Sequence, residues 1–165
     1  MPRGGGVKAA SSALCTLLLC LSAPGAFAAV TCTASAVGVA FGVYNPLAAT
    51  PDTSTGTIQV RCTSTNPGST TINLVANYST GSSGTYAQRT LRSGANVLSY
   101  NLYFDAAYTQ VRGDGTNGTQ PGRATLVLGR NQTGSASGTL YGRIPAGQDV
   151  APGLYSDTIT VTVSY

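Results

Sequence analysis

The side chains able to do chemistry are few in this sequence. There is no His and no Glu, and the five acidic residues are Asp52, Asp105, Asp114, Asp149 and Asp157. General acid–base catalysis near neutral pH usually calls on an imidazole or a tuned carboxylate. The chain could offer only a pair of aspartates, in the manner of two-carboxylate glycosidases. Most of these aspartates stand beside turn residues, where Asp closes an Asx turn, so the reading is non-enzymatic, with no catalytic residue and no cofactor. Gly113-Asp114-Gly115-Thr116-Asn117-Gly118 has oxygen ligands for calcium but lacks the further carboxylates of a loop site, so a Gly-rich turn is the better reading. Cys32 and Cys62 most simply form one disulfide in an oxidising compartment, closing a loop worth roughly 3 to 4 kcal/mol. Metal binding is the rival, and two thiols without histidine make a poor site.

The oxidising compartment is itself a reading of the N-terminus. Arg3 and Lys8 form a positive start, Ala9 to Leu21 is an apolar run, and Ala26-Phe27-Ala28 is a small-x-small cleavage signal. Residues 1–28 are expected to be a secretory signal peptide, carrying Cys15 and Cys20 away with it, and residues 29–165 one domain. The apolar run is shorter than the ~20 residues of a spanning helix, so no membrane insertion of the mature chain is expected. With Arg3 and Lys8 removed from nine basic residues, seven scattered arginines face five aspartates. No basic stripe forms, and nucleic acid is not indicated.

The elements that must position these residues are strands. Thr158 to Tyr165 alternates without a slip, with Ile159, Val161, Val163 and Tyr165 on one face. Burying those four would be worth roughly 6 to 10 kcal/mol as an upper bound. Ile58, Val60 and Cys62 share a face of a second run, and Ile72 and Leu74 of a third. Leu98, Tyr100, Leu102 and Phe104 mark another, followed by Leu126 with Leu128 and Leu140 with Ile144. The stretch from Cys32 to Val43 changes phase, which predicts a bulge or bend near Gly38. Turn residues separate the runs, among them Asn66-Pro67-Gly68, Pro121-Gly122 and Pro145-Ala146-Gly147. The pattern predicts seven or eight strands in one antiparallel β-sandwich. Tyrosines at 78, 86, 100, 103, 108, 141 and 155 suit sugar or protein binding, but cross-strand packing with the hydroxyl at the wet rim is favoured.

A family likeness rests on residues in order. They are Cys32, Phe41-Gly42-Val43-Tyr44, Val60-Arg61-Cys62, Arg89-Thr90-Leu91, Tyr100-Asn101-Leu102-Tyr103-Phe104-Asp105, Gly113-Asp114-Gly115, Tyr141-Gly142-Arg143-Ile144-Pro145-Ala146-Gly147-Gln148, and Pro152-Gly153-Leu154-Tyr155-Ser156-Asp157-Thr158. A valine-rich last strand follows them. The series resembles the spore coat protein U domain of secreted Csu-type pilins of archaic chaperone-usher pathways, over essentially all of residues 29–165. Arg112 departs from it, standing where an aromatic is expected.

The resemblance implies an incomplete immunoglobulin-like sandwich that lacks one strand. A periplasmic chaperone would lend a strand, and a neighbouring pilus subunit would later replace it after passage through an usher. Ile159, Val161, Val163 and Tyr165 would be where the chaperone pairs. Only Ala29, Val30 and Thr31 precede Cys32, too little to donate a strand onward, so a tip or initiating position is expected. The protein would be exported, pass through the periplasm and serve in surface adhesion or biofilm formation. The alternatives are a spore-coat or extracellular matrix structural protein and a stand-alone carbohydrate-binding sandwich.

Overall fold

The computed structural model describes residues 29–165; the expected signal peptide, residues 1–28, lies outside the described residues. Eight strands follow one another: β1 Val30–Val37, β2 Asp52–Ser64, β3 Thr70–Tyr78, β4 Arg89–Ser93, β5 Asn96–Tyr103, β6 Gly122–Leu128, β7 Thr133–Ile144 and β8 Val161–Ser164. A short 3-10 turn, Gly81–Ser83, interrupts the series after β3. Two sheets result, one ordered β1-β2-β7-β5-β4 and the other β6-β3-β8. All strand pairs are antiparallel.

The alternation read from the sequence is the alternation of burial. Along β2 the even positions turn inward, so Ile58, Val60 and Cys62 are buried while Thr57, Gln59, Arg61 and Thr63 are exposed. Ile72 and Leu74 on β3, Leu98, Tyr100 and Leu102 on β5, and Leu140 and Ile144 on β7 are likewise buried. Facing rows from the two sheets fill the interior, as apolar burial requires.

Of the bulge or bend expected near Gly38, the structure has the bend: β1 ends at Val37, and the chain then lies over the inner face of its own sheet. Val39 and Phe41 pack into the core beside Leu98, Tyr100 and Ile144, whereas Val43 is exposed. Glycines make the crossing possible, because a Cβ on Gly142 would meet Val39 and Phe41 and one on Gly56 would meet the Val37 carbonyl. Phe104 differs from the expected row, since β5 ends at Tyr103 and the Phe104 ring lies half exposed beneath the Arg112 guanidinium, 4.3 Å from its centroid.

Candidate functional site

The last strand is shorter than its alternation predicts. Pairing with β3 runs from Val161 opposite Tyr78 to Ser164 opposite Val75, extended by the Ser79 amide donating to the Thr160 carbonyl at 2.9 Å. Residues just before it cross from one sheet to the other. Ser156 bridges to Arg92 on β4 through two backbone hydrogen bonds, at 2.8 and 3.0 Å. Asp157 accepts from the Tyr100 hydroxyl at 2.8 Å and from the Ser82 amide at 2.9 Å. That anchorage holds Asp157 on the β4–β5 side, so the ladder with β3 begins only beyond it. Ile159 is half-buried in the crossover, Val161 and Val163 are half-buried on β8, and Tyr165 is 58% exposed.

β8 is paired with β3 alone; its other edge has no strand partner among the described residues. Across the sandwich β1 is in the same position, paired with β2 alone. Ala34 and Ala36 stand opposite Val60 and Ile58 in the β1–β2 register. Residues opposite one another share a face of the sheet, so both alanines belong to the core face. Val60 and Ile58 are buried, yet Ala34 and Ala36 are exposed. The core is therefore covered over β2 and uncovered over β1. Both strands thus present a free edge, with Ala34 and Ala36 exposed on the core-facing row of β1 and Val161 and Val163 half-buried on β8.

The start of β1 is tied to β2. Cys32 and Cys62 are bonded, with Cα atoms 4.1 Å apart, and they are directly opposed in the β1–β2 register. The Cys32 amide points away from β2 and donates to the Tyr165 hydroxyl at 3.4 Å. β1 thus turns backbone groups away from β2, as an edge strand does.

A second set of residues, quoted above for the family likeness but given no role there, turns out to be internal scaffolding. Arg89 is fully buried. Its Nε and Nη2 donate to the Ser79 carbonyl, Nη2 also to the Arg112 carbonyl, and Nη1 to Asn101 Oδ1 at 2.7 Å. Burial pushes its guanidinium below the usual arginine range, opposed by Tyr100, Tyr86 and Asp157 nearby. Asn101 passes the network on to the Tyr86 carbonyl. Gln148 acts as a side-chain rung, accepting from the Ser99 amide and donating to the Ser99 carbonyl. Three tyrosines depart from the rim placement: Tyr78, Tyr86 and Tyr100 are buried. Burial first, and the bond to Asp157 second, push the Tyr100 phenol well above its ordinary value. Asp105 and Asp114 do what turn aspartates were expected to do, accepting from the amides of Thr109 and Gln110 and of Thr116.

An all-β, immunoglobulin-like sandwich of two antiparallel sheets with one disulfide and an exposed core-facing row on its β1 edge defines the class of this protein. Comparison with known proteins narrows it: the sequence matches the Spore Coat Protein U domain over residues 16–162, and the chain belongs to that family. It is 30% identical to Protein U of Myxococcus xanthus, across 76% of this chain and 70% of that protein. Among solved structures it is similar to the crystal structure of the CsuC-CsuE chaperone-tip adhesion subunit pre-assembly complex from archaic chaperone-usher Csu pili of Acinetobacter baumannii. The TM-score is 0.50 at 19% identity, covering 83% of this chain. The chain spans 40% of the length of that solved chain, and the likeness is one of fold.

Proposed function

We propose that the chain is a non-enzymatic structural subunit of a chaperone-usher pilus, completed by a strand that another protein lays into a groove between the free edges of β1 and β8, the β1–β8 groove. The observation that carries this is the exposure of Ala34 and Ala36 on a core-facing row, opposite a β8 that pairs on one side only. An added strand would hydrogen-bond along an edge and set alternate side chains over the uncovered core. Val161 and Val163 would pack beneath it, and Ile159 and Tyr165 would flank its ends. A periplasmic chaperone is the first donor in this reading; a neighbouring subunit follows after the usher. Residues 1–28 would direct export, and the assembled protein would stand at the cell surface, serving adhesion or biofilm formation. A tip position belongs to the same proposal, and N-terminal sequencing of the secreted protein tests it. The family description favours one second reading, a coat protein whose neighbours fill the same groove.

The test is expression in the periplasm with and without the chaperone from a chaperone-usher system, followed by hydrogen exchange. Alone, the chain should be scarce or aggregated; with the chaperone it should be recovered as a 1:1 complex in which the outer amides of β8 become protected. Val161→Asp and Val163→Asp should each abolish the complex, since a carboxylate would be buried under the incoming strand. A soluble monomer that unfolds cooperatively, with those amides already protected, would overturn the proposal.

A further inference from the structure

Three tyrosines that the core does not use meet on the outer face of the larger sheet. Tyr103 on β5 and Tyr141 on β7 are directly opposed in the β5–β7 register, and Arg143 stands two positions further along β7, opposite Asn101. Residues opposed across two strands share a face, and the β2–β7 register sets Thr55 beside Tyr141 and Thr53 beside Arg143. Leu140 and Ile144, on the alternate positions of β7, pack into the core, so the row of Tyr141 and Arg143 is the outward one. Tyr108, from the loop after β5, completes the group. Its ring stands 5.4 Å from that of Tyr103 at 88°, and the Arg143 guanidinium lies 5.5 Å over it.

Tyr108 holds that place against its own backbone preference. Its φ is +56°, in the left-handed region that a bulky residue rarely adopts. The other non-glycine residues with positive φ among the described residues are Asn117 and Asn131, of a type that tolerates it far better. The loop enforces the conformation: the Tyr108 amide donates to the Asp105 carbonyl at 3.1 Å, and the Asp105 carboxylate accepts from the Thr109 and Gln110 amides. Glycine would make the same turn without strain, so what tyrosine adds here is its ring. The group is also open. The phenols of Tyr103, Tyr108 and Tyr141 and the guanidinium of Arg143 form no hydrogen bond among the described residues, and none of these polar atoms is sealed from water. Asp105 turns its carboxylate into its own loop, and Asp52, opposite Ile144, belongs by register to the other face. Among the described residues the Arg143 charge has no counter-ion on this face.

We propose that this patch binds an acidic saccharide, the rings of Tyr103, Tyr108 and Tyr141 taking the C–H face of a pyranose and Arg143 the carboxylate of a uronate residue. An aromatic face carries partial negative charge and attracts the electron-poor C–H groups of a sugar ring. Guanidinium binds a carboxylate through two adjacent, parallel N–H donors, and every nitrogen of Arg143 is open to solvent. Thr53 and Thr55, both exposed, set hydroxyls beside the rings for those of the sugar. A protein partner fits less well, because a stable protein interface covers about 800 Å² on each side and this patch is one guanidinium and three half-buried rings wide. The patch faces away from the core, so it does not compete with a strand laid over the core between β1 and β8.

NMR titration of the full secreted chain, purified with whatever strand completes it, tests this with tetragalacturonate, its methyl ester and maltotetraose. Tetragalacturonate should bind saturably with a Kd of about 1 mM or tighter, and the ester and the neutral maltotetraose should each bind about tenfold more weakly. Magnetisation transfer between the sugar ring protons and the rings of Tyr103, Tyr108 and Tyr141 should locate the ligand. Tyr108→Gly should fold, since glycine suits a φ of +56°, and should weaken tetragalacturonate about tenfold. Arg143→Gln should weaken tetragalacturonate to the level of the ester and leave maltotetraose as it was. Arg61→Gln removes an exposed charge farther along β2 and should change neither. Absence of saturable tetragalacturonate binding, equal binding of the ester, binding undiminished by Tyr108→Gly, or a loss on Arg61→Gln as large as on Arg143→Gln would each overturn the proposal. Should Tyr108→Gly fail to fold, Tyr141→Ala decides in its place.

Discussion

Removing the disulfide should cost this protein a large share of its stability and open the groove that the proposed function depends on. Cys32 and Cys62 are separated by 30 residues. In the chain-entropy treatment a loop of that size restricts the unfolded chain by about 12 cal/mol/K, or about 3.7 kcal/mol at 25 °C. Cys62 is fully buried against Val60, Ile72, Leu74 and Leu128, so replacing it by alanine adds about 1 kcal/mol for the sulfur lost from a packed core. The double variant Cys32→Ala with Cys62→Ala should therefore lose about 4 to 5 kcal/mol, against a total of roughly 5 to 15 for a domain of this kind. At about 4 °C per kcal/mol the midpoint should fall by about 15 to 20 °C. The effect should also be local: among the described residues β2 is the only strand that pairs with β1, and the bond ties the two together, so the amides of β1 should exchange faster than those of β7. The assay is urea denaturation followed by circular dichroism, with the same complementing strand saturating both proteins, because a ligand specific to the folded state would otherwise shift the comparison. A loss under about 1 kcal/mol, or β1 amides as protected as before, would refute the reasoning that the bond anchors a singly paired strand.

Further outcomes follow from the packing. Gly142→Val should destabilise by about 2 kcal/mol or more, since even a Cβ would collide with Val39 and Phe41; a thermal melt shows it, and Gly147→Ala, which has open space but a positive φ, should cost only about 1 kcal/mol. Arg89→Met should cost about 3 kcal/mol, because it orphans the Ser79 and Arg112 carbonyls and takes from Asn101 Oδ1 its charged donor, leaving it the Leu102 amide; chemical denaturation measures it, and a change below about 1 kcal/mol would mean that relief of the buried charge offsets the lost bonds. Burial raises the phenols of Tyr78 and Tyr100 above their ordinary 10.0. Their stabilising contribution is therefore complete below pH 10 and lost as pH climbs through and above it. Denaturation between pH about 9 and about 11 should show Tyr100→Phe losing stability less steeply than the parent.

Period-two alternation is a local property of the chain, so the strands and the inward rows of β2, β3, β5 and β7 were readable from residue order alone. The cysteine pair was readable for the same kind of reason: with no histidine in the chain, two thiols in residues 29–165 have little to do but bond to each other. What alternation cannot convey is which rows end up covered. Ala34 and Ala36 belong to the core face by register yet lie open, while Ile159 alternates faultlessly with Val161 and Val163 but falls outside β8 because Asp157 is held across the sandwich. The burial of Arg89 and Arg112, and the stacking of Arg112 between Phe104 and Tyr78, depend on residues distant in sequence converging in space. Faces and turns are set by neighbours along the chain; coverage, grooves and cavities are set by how two sheets meet, and only the folded molecule decides that.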